Sequence, residues 1–430
     1  MPRPRRFVAL AALLVWSTGC SKAKPAGDGP YAELVADAVP RIEAQLGLRY
    51  TTPPKLATRS KAEVSTFLMH QLTSERARTM MAGQQALYRV LGLIPDTMQL
   101  GGLMQRLLEE QVVGYYDPKT KVLYVVDGAP KALVQQTVTH ELVHALQDQH
   151  LNLDSVQAQT DDADRQSTVQ AVLEGQAVFT QLLLDPGTGP MMKMPGGWDR
   201  IRDLIRNGQT GMPVFASAPR IIREGLLYPY LGGADFVRRY QEQRPMASLL
   251  TDLPVSSMQL LNDGAYFTTT PAARPVPTAV TMPAPVAGTV VYTNTLGEFE
   301  TRLALVQHVQ DESLARRGAG GLAGDRVTVV RTPQGDAVVW ASAWTTSVDA
   351  ADFLEILADA ARRRYEMAKP EVPPGATTRR LDVSASKRHA ARTVMLSLLQ
   401  RDGQPVVLFT DVPAGVNPAL IDAARLTLRR

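Results

Sequence analysis

The stretch His140-Glu141-Leu142-Val143-His144-Ala145-Leu146-Gln147-Asp148-Gln149-His150 decides how this chain is read. Around it Ala132, Leu133, Val134, Val138, Leu142, Val143 and Leu146 recur at helical spacing, the pattern of a helix packed in a core. On such a helix His140 and His144 are one turn apart and share a face. Two imidazoles on one face, with Glu141 beside the first, form HExxH: the pair binds a metal and the carboxylate stands next to the water. The chain has only six histidines, so finding two of them here counts for more than it would in a histidine-rich protein. Buried imidazoles also need partners, and a metal is one.

A catalytic zinc takes three protein ligands and leaves one position open. Two residues compete for the third place. Glu174, in Leu173-Glu174-Gly175-Gln176-Ala177, lies on the next helical stretch, with apolar Ala171, Val172 and Val178 around it. His150 lies six residues past His144, a spacing used where glycine lets the helix turn sharply. Gln147 holds that position here, and a left-handed turn is costly for glutamine. The spacing favours Glu174, with His150 as the alternative. Gly175 and Ala177 are small enough to let the two helices approach closely.

Working outward, the 430 residues allow roughly two or three domains with real cores. Charged residues make up 20% and hydrophobic ones 45%, which places the chain among ordinary globular proteins. The net charge is +4, and Arg3, Arg5 and Arg6 supply three of those charges, so the remainder gives no case for binding nucleic acid. Those arginines, the apolar run from Phe7 to Trp16 and the small residues Ser17-Thr18-Gly19 read as a signal peptide over 1–19, too short to span a bilayer. Ser-Thr-Gly-Cys resembles a lipobox, with Ser17 in place of the usual leucine, and makes Cys20 the expected lipidation site. Cys20 is the only cysteine, so no internal disulfide forms. The mature protein is then expected at the cell envelope, in the periplasm or at the outer membrane, tethered by lipid through residues 20–30.

The expected fold class is α+β. A mostly helical domain with a small β-sheet spans 31–267, a Pro-rich linker 268–289, and a smaller α+β domain 290–430. Helices are expected over Tyr31–Leu46 (with Gly47 as its stop), Lys61–Leu93, Leu103–Val113, Pro130–Gln149 and Asp164–Leu184, and again around Asp199–Arg206 and Ile221–Glu242. Lys55–Arg59 is a candidate strand. Val112–Tyr116 and Lys121–Val126 flank Asp117-Pro118 and read as a hairpin. The second of these strands is a candidate sheet edge for pairing with an extended substrate. Beyond the linker, helices are expected at Gly297–Gln310, Val348–Arg364 and Asn417–Leu428. Strands are expected at Arg326–Arg331, Ala337–Trp344, Thr393–Leu399 and Val406–Thr410, which suggests a duplicated strand–turn–strand–helix unit.

His140 to Asp148, with Glu174 on the following helix, resembles the gluzincin peptidases, the thermolysin-like HExxH…E group. A wider stretch, about 105–345, is similar to a set of exported bacterial proteins described as neutral metallopeptidases. That likeness rests on Gly114-Tyr115-Tyr116-Asp117-Pro118, the helix above, Leu173-Glu174-Gly175, Leu227-Tyr228-Pro229-Tyr230 and Gly320-Gly321-Leu322-Ala323-Gly324-Asp325-Arg326. The resemblance implies a zincin-like catalytic domain and peptide-bond hydrolysis. Two positions depart from it. Val178 stands where thermolysin relatives have an aspartate that orients a histidine, and Gln176 where the exported set has an acid.

The expected chemistry follows. Zn2+ on His140, His144 and Glu174 lowers the pKa of a water, Glu141 takes its proton and passes it to the leaving amine, and Tyr228 or Tyr230 steadies the oxyanion. The substrate is a protein or peptide. The competing reading is an envelope lipoprotein that keeps the shape as a binding module, motivated by the departures at Gln176 and Val178. Gly318-Ala319-Gly320 lies in the wrong context for a dinucleotide loop. His70, His308 and His389 stand alone. Met191, Met192 and Met194 read as loop packing.

Overall fold

A computed structural model describes residues 30–157, 161–208, 211–245, 247–267, 270–368, 373 and 375–429. The expected signal peptide, Cys20 and all of the tether but Pro30 lie outside them. Among the described residues no helix is long and apolar enough to cross a membrane.

The protein is α+β, and its first half is mostly helical. Helix α1 (Ala32–Leu46) stops at Gly47, whose left-handed φ of 65° suits glycine. Strand β1 (Lys55–Arg59) follows. A capping box between Ser60 and Glu63 starts α2 (Lys61–Leu72), which leads to α3 (Glu75–Val90) and α4 (Leu100–Gln111). Next come β2 (Gly114–Asp117), β3 (Val122–Val126) and α5 (Lys131–Leu151), which carries the two histidines. The hairpin turn is held by Asp117, which accepts from Lys119 N–H at 3.0 Å and from the Thr120 hydroxyl at 2.8 Å.

After the short α6 (Leu153–Gln157), α7 (Ala163–Leu184) carries Glu174. Where Met191, Met192 and Met194 read as loop packing, the chain forms α8 (Thr188–Met192), which holds the first two. Helices α9 (Gly197–Gly208), α10 (Pro213–Ser217) and α11 (Arg220–Tyr228) follow. A π-helical turn, Pro229–Gly233, separates α11 from α12 (Ala234–Gln243). Short α13 (Ser257–Leu261) and α14 (Asp263–Tyr266) close this part.

The first sheet has the order β1-β3-β2. Lys121–Val126, expected at a sheet edge, is therefore central. β1 runs parallel on one side, Lys55 opposite Val122, and β2 antiparallel on the other, Tyr115 opposite Tyr124. The long crossover through α2–α4 brings the chain back beside β1, so no edge of β3 is left for a substrate. Helix α5 lies between this sheet, α1 and α7. Val134, Val138, Leu142, Val143 and Leu146 share a core with Ile42, Leu123, Val125 and Ala177. Ala132 and Leu133 are the exceptions on the expected stripe, and both are exposed.

The Pro-rich stretch is a bound strap. Its strand β4 (Ala279–Thr281) pairs with β11 (Thr427–Arg429). Arg274 holds Asp252 at 2.6 and 2.8 Å, Gln259 donates to Pro275 O at 2.8 Å, and Thr278 N–H donates to Ala323 O at 2.8 Å. Then come β5 (Thr289–Asn294), α15 (Gly297–Val309), α16 (Glu312–Ala319), β6 (Leu322–Thr332), β7 (Gly335–Trp344), α17 (Ser347–Arg364), β8 (Thr378–Val383), β9 (Arg392–Arg401) and β10 (Gln404–Pro413). They build an antiparallel sheet of order β5-β6-β7-β10-β9-β8. Two hairpins meet at its middle, as the repeated strand–turn–strand pattern suggests, but among the described residues no α-helix follows the second. The helix expected at Asn417–Leu428 is a 3-10 turn, Ala423–Arg425, plus β11. Leu420, Ile421 and Leu426 bury against the sheet from irregular backbone, and their spacing imitates a helix.

One apolar cluster joins the two halves. Leu87, Leu103 and Ile221 belong to the same core as Trp340, Phe353 and Val407.

Candidate metal centre

Helices α5 and α7 pack antiparallel, and their facing residues make the centre. The Nε2 atoms of His140 and His144 are 3.1 Å apart. Glu174 Oε2 lies 3.2 Å from His140 Nε2 and 3.5 Å from His144 Nε2. The three side chains are only 12–22% exposed, enough for solvent to reach one side. Three donors at 2.0–2.1 Å from a tetrahedral zinc would be about 3.3 Å apart, so the triangle has the size the ion needs. Among the described residues this is the group of His, Cys, Asp and Glu that converges on one point in this way.

The outer ring nitrogens fix the imidazoles. His144 Nδ1 lies 2.8 Å from Gln147 Oε1, and His140 Nδ1 lies 3.2 Å from Gln181 Oε1. An amide oxygen only accepts, so each Nδ1 carries the proton and each Nε2 turns its lone pair inward. Gln147 is in turn held by its own amide, donating to Leu173 O at 2.9 Å and to Gln176 Oε1 at 3.0 Å. The places lost at Val178 and Gln176 are thus made up by two glutamines that the sequence reading did not assign. Gln147 is one turn past His144 and Gln181 two turns past Glu174, on the same helix faces, a signal that was present in the spacing.

The electrostatics are those of a carboxylate set against two imidazoles. Burial opposes charge on His144, yet Glu174 beside it outweighs this and lifts the imidazole to about 9. Burial also opposes charge on Glu174, and the two imidazoles hold its carboxyl far below the usual carboxylate range.

Glu141 is buried on α5 beside His140. The ring of Tyr230 lies 6.5 Å from that of His140. The charge of Glu174, then desolvation and Glu141, push the Tyr230 phenol well above its ordinary value, so it stays a proton donor. Its approach has a local cause. The π turn places Tyr230 where a regular helix would not, and Gly175 and Gly233 bring that turn backbone-to-backbone against α7. A Cβ at 175 would stand 2.5 Å from Ala234 N. Gly175 therefore serves the turn, while Ala177 is the small residue that faces α5.

Two expected site residues lie elsewhere. Tyr228 is a core residue, 6% exposed and stacked on Phe299 at 3.7 Å, which corrects its reading as an oxyanion donor. His150 is exposed and bonds Arg49 O at 2.9 Å, because α5 runs on past it to Leu151 and reverses only at Asn152, φ 53°. Asp148, last acid of the motif, ties the helix to the sheet. It accepts from the Tyr116 hydroxyl and Lys121 Nζ, each at 2.7 Å.

Residues 286–414 match the model of a family described as Domain of unknown function (DUF8575). The matched part covers the second sheet and its helices and leaves the histidine–glutamate centre outside. No curated protein and no solved structure matches the chain.

Proposed function

We propose that the protein is a zinc-dependent peptidase, lipid-anchored through Cys20 at the cell envelope. The observation that carries the reading is the convergence of His140, His144 and Glu174 at ligand spacing, with Glu141 and Tyr230 beside them. Zinc held by these three would supply Lewis acidity, polarising a carbonyl and lowering the pKa of a water. The chain's own groups do the rest. Glu141 accepts the water's proton and returns it to the leaving amine. Tyr230 donates its O–H to the oxygen that gains charge. Gln147 and Gln181 keep both imidazoles in the tautomer the ligand role requires. The competing view, a binding module that has lost catalysis, rested on Val178 and Gln176, and the two glutamines weaken it.

The test is cleavage of an unfolded protein and a peptide library, read by mass spectrometry, for wild type and Glu141→Gln at equal zinc content. The general-base role predicts a loss of about 10²–10⁴-fold in kcat. Equal turnover by the two proteins excludes it.

A further inference from the structure

Beside the join of the two halves lies a second cavity, about 500 Å3, within the range of small-molecule sites. Helices α3, α4 and α11 wall it with apolar side chains, among them Met80, Met104, Ile222 and Leu226. None of the metal-centre residues lines it. Glu300 of α15 does. One of its carboxylate oxygens accepts from the Tyr88 hydroxyl at 3.0 Å, and Gln84 Nε2 donates to that hydroxyl at 2.9 Å. No Lys, Arg or His among the described residues forms an ion pair with Glu300. The basic residue on the lining, Arg76, stands exposed.

A carboxylate set in apolar surroundings without a counter-ion is costly. Burial, partly offset by the Tyr88 bond and reinforced by Asp325, pushes the Glu300 carboxyl up to about 7. Nothing in the mechanism above uses this acid.

We propose that this cavity binds an aliphatic ammonium group, its hydrocarbon part among the methionines and its charge on Glu300. A free alkylamine and the lysine side chain of a peptide offer the same chemistry. The walls supply apolar contact along a chain, and Glu300 is the only acidic side chain on the lining. An alkylammonium keeps its charge at neutral pH, so binding gives this partly buried carboxyl a counter-ion.

The experiment is calorimetric titration of the full chain with n-octylammonium and with n-octanol, and with a blocked alanine peptide carrying one lysine against its norleucine counterpart. The proposal expects at least one cation to bind about tenfold or more tightly than its neutral partner, the worth of a charge-assisted hydrogen bond. The pair that shows the difference identifies the source. Glu300→Gln keeps the acceptor for Tyr88 and should remove the preference. Gly225→Phe is the second variant. Gly225 lines the cavity and a Cβ there meets nothing within 4 Å, so the ring should fill the space without unfolding the protein, and abolish binding. Equal affinity for charged and neutral probes, a preference that survives Glu300→Gln, binding that survives Gly225→Phe, or no binding by either cation overturns the proposal.

Discussion

Gly175→Ala probes how the fold sets the distance between Glu174 and Tyr230. A Cβ at 175 would meet Ala234 N at 2.5 Å, with the Gly233 backbone closer still, whereas ordinary contact begins at 3.4 Å. The obstacle is backbone on both sides, so no rotamer relieves it. The π turn must retreat from α7 by roughly 1 Å, which such overpacking makes worth about 1–3 kcal/mol of stability. The same shift carries Tyr230 away from Glu174 while leaving all three ligands in place. A displacement of this size near the reacting groups costs about 100-fold in turnover. Urea unfolding gives the first quantity and steady-state peptide cleavage the second, with zinc content measured alongside. Stability within about 0.5 kcal/mol of wild type together with unchanged kcat would refute the claim that this glycine contact positions the tyrosine.

Three other outcomes follow from particular contacts. Tyr230→Phe should lower kcat with little change in stability. Tyr228→Phe should leave kcat unchanged and stability equal or higher, because the buried Tyr228 hydroxyl has no hydrogen-bond partner among the described residues; a kcat loss confined to the second variant would reverse the assignment. His308 donates to Leu91 O at 2.9 Å, and burial, with help from Arg364, pushes its imidazole down to about 4 from 6.5. The folded state holds it neutral, so its contribution is intact above pH 6.5 and lost as pH falls toward 4, in all about 3 kcal/mol. His308→Asn should flatten the unfolding free energy across that window, and an identical pH profile for both proteins would contradict the assignment.

Much of the first half could be read before any coordinates. The stripe from Val134 to Leu146 marks α5, and Asp117-Pro118 between two β-rich runs marks the hairpin, because both signals are local. Glu174 was legible for a similar reason: an acid among apolar residues on the next helix needs a partner. What escaped was non-local. That β3 is central depends on β1, over sixty residues upstream. β5 and β8 are short edge strands, and β8 reads Thr-Arg-Arg-Leu-Asp-Val, with little apolar alternation to announce it. The strap looked like a linker because prolines break regular structure, yet Val280 and Thr278 are buried by neighbours that only the folded chain supplies. Tyr228 and Tyr230 could not be told apart by spacing, since the π turn between them alters which side of the helix each one faces.

The most direct test of the central claim is elemental analysis of the purified chain, made for wild type and for Glu174→Ala. The account predicts about one zinc per wild-type chain, and loss of most of it when the carboxylate from α7 is removed. A wild-type protein that takes up no zinc, or a Glu174→Ala protein that holds it as tightly as wild type, would contradict it.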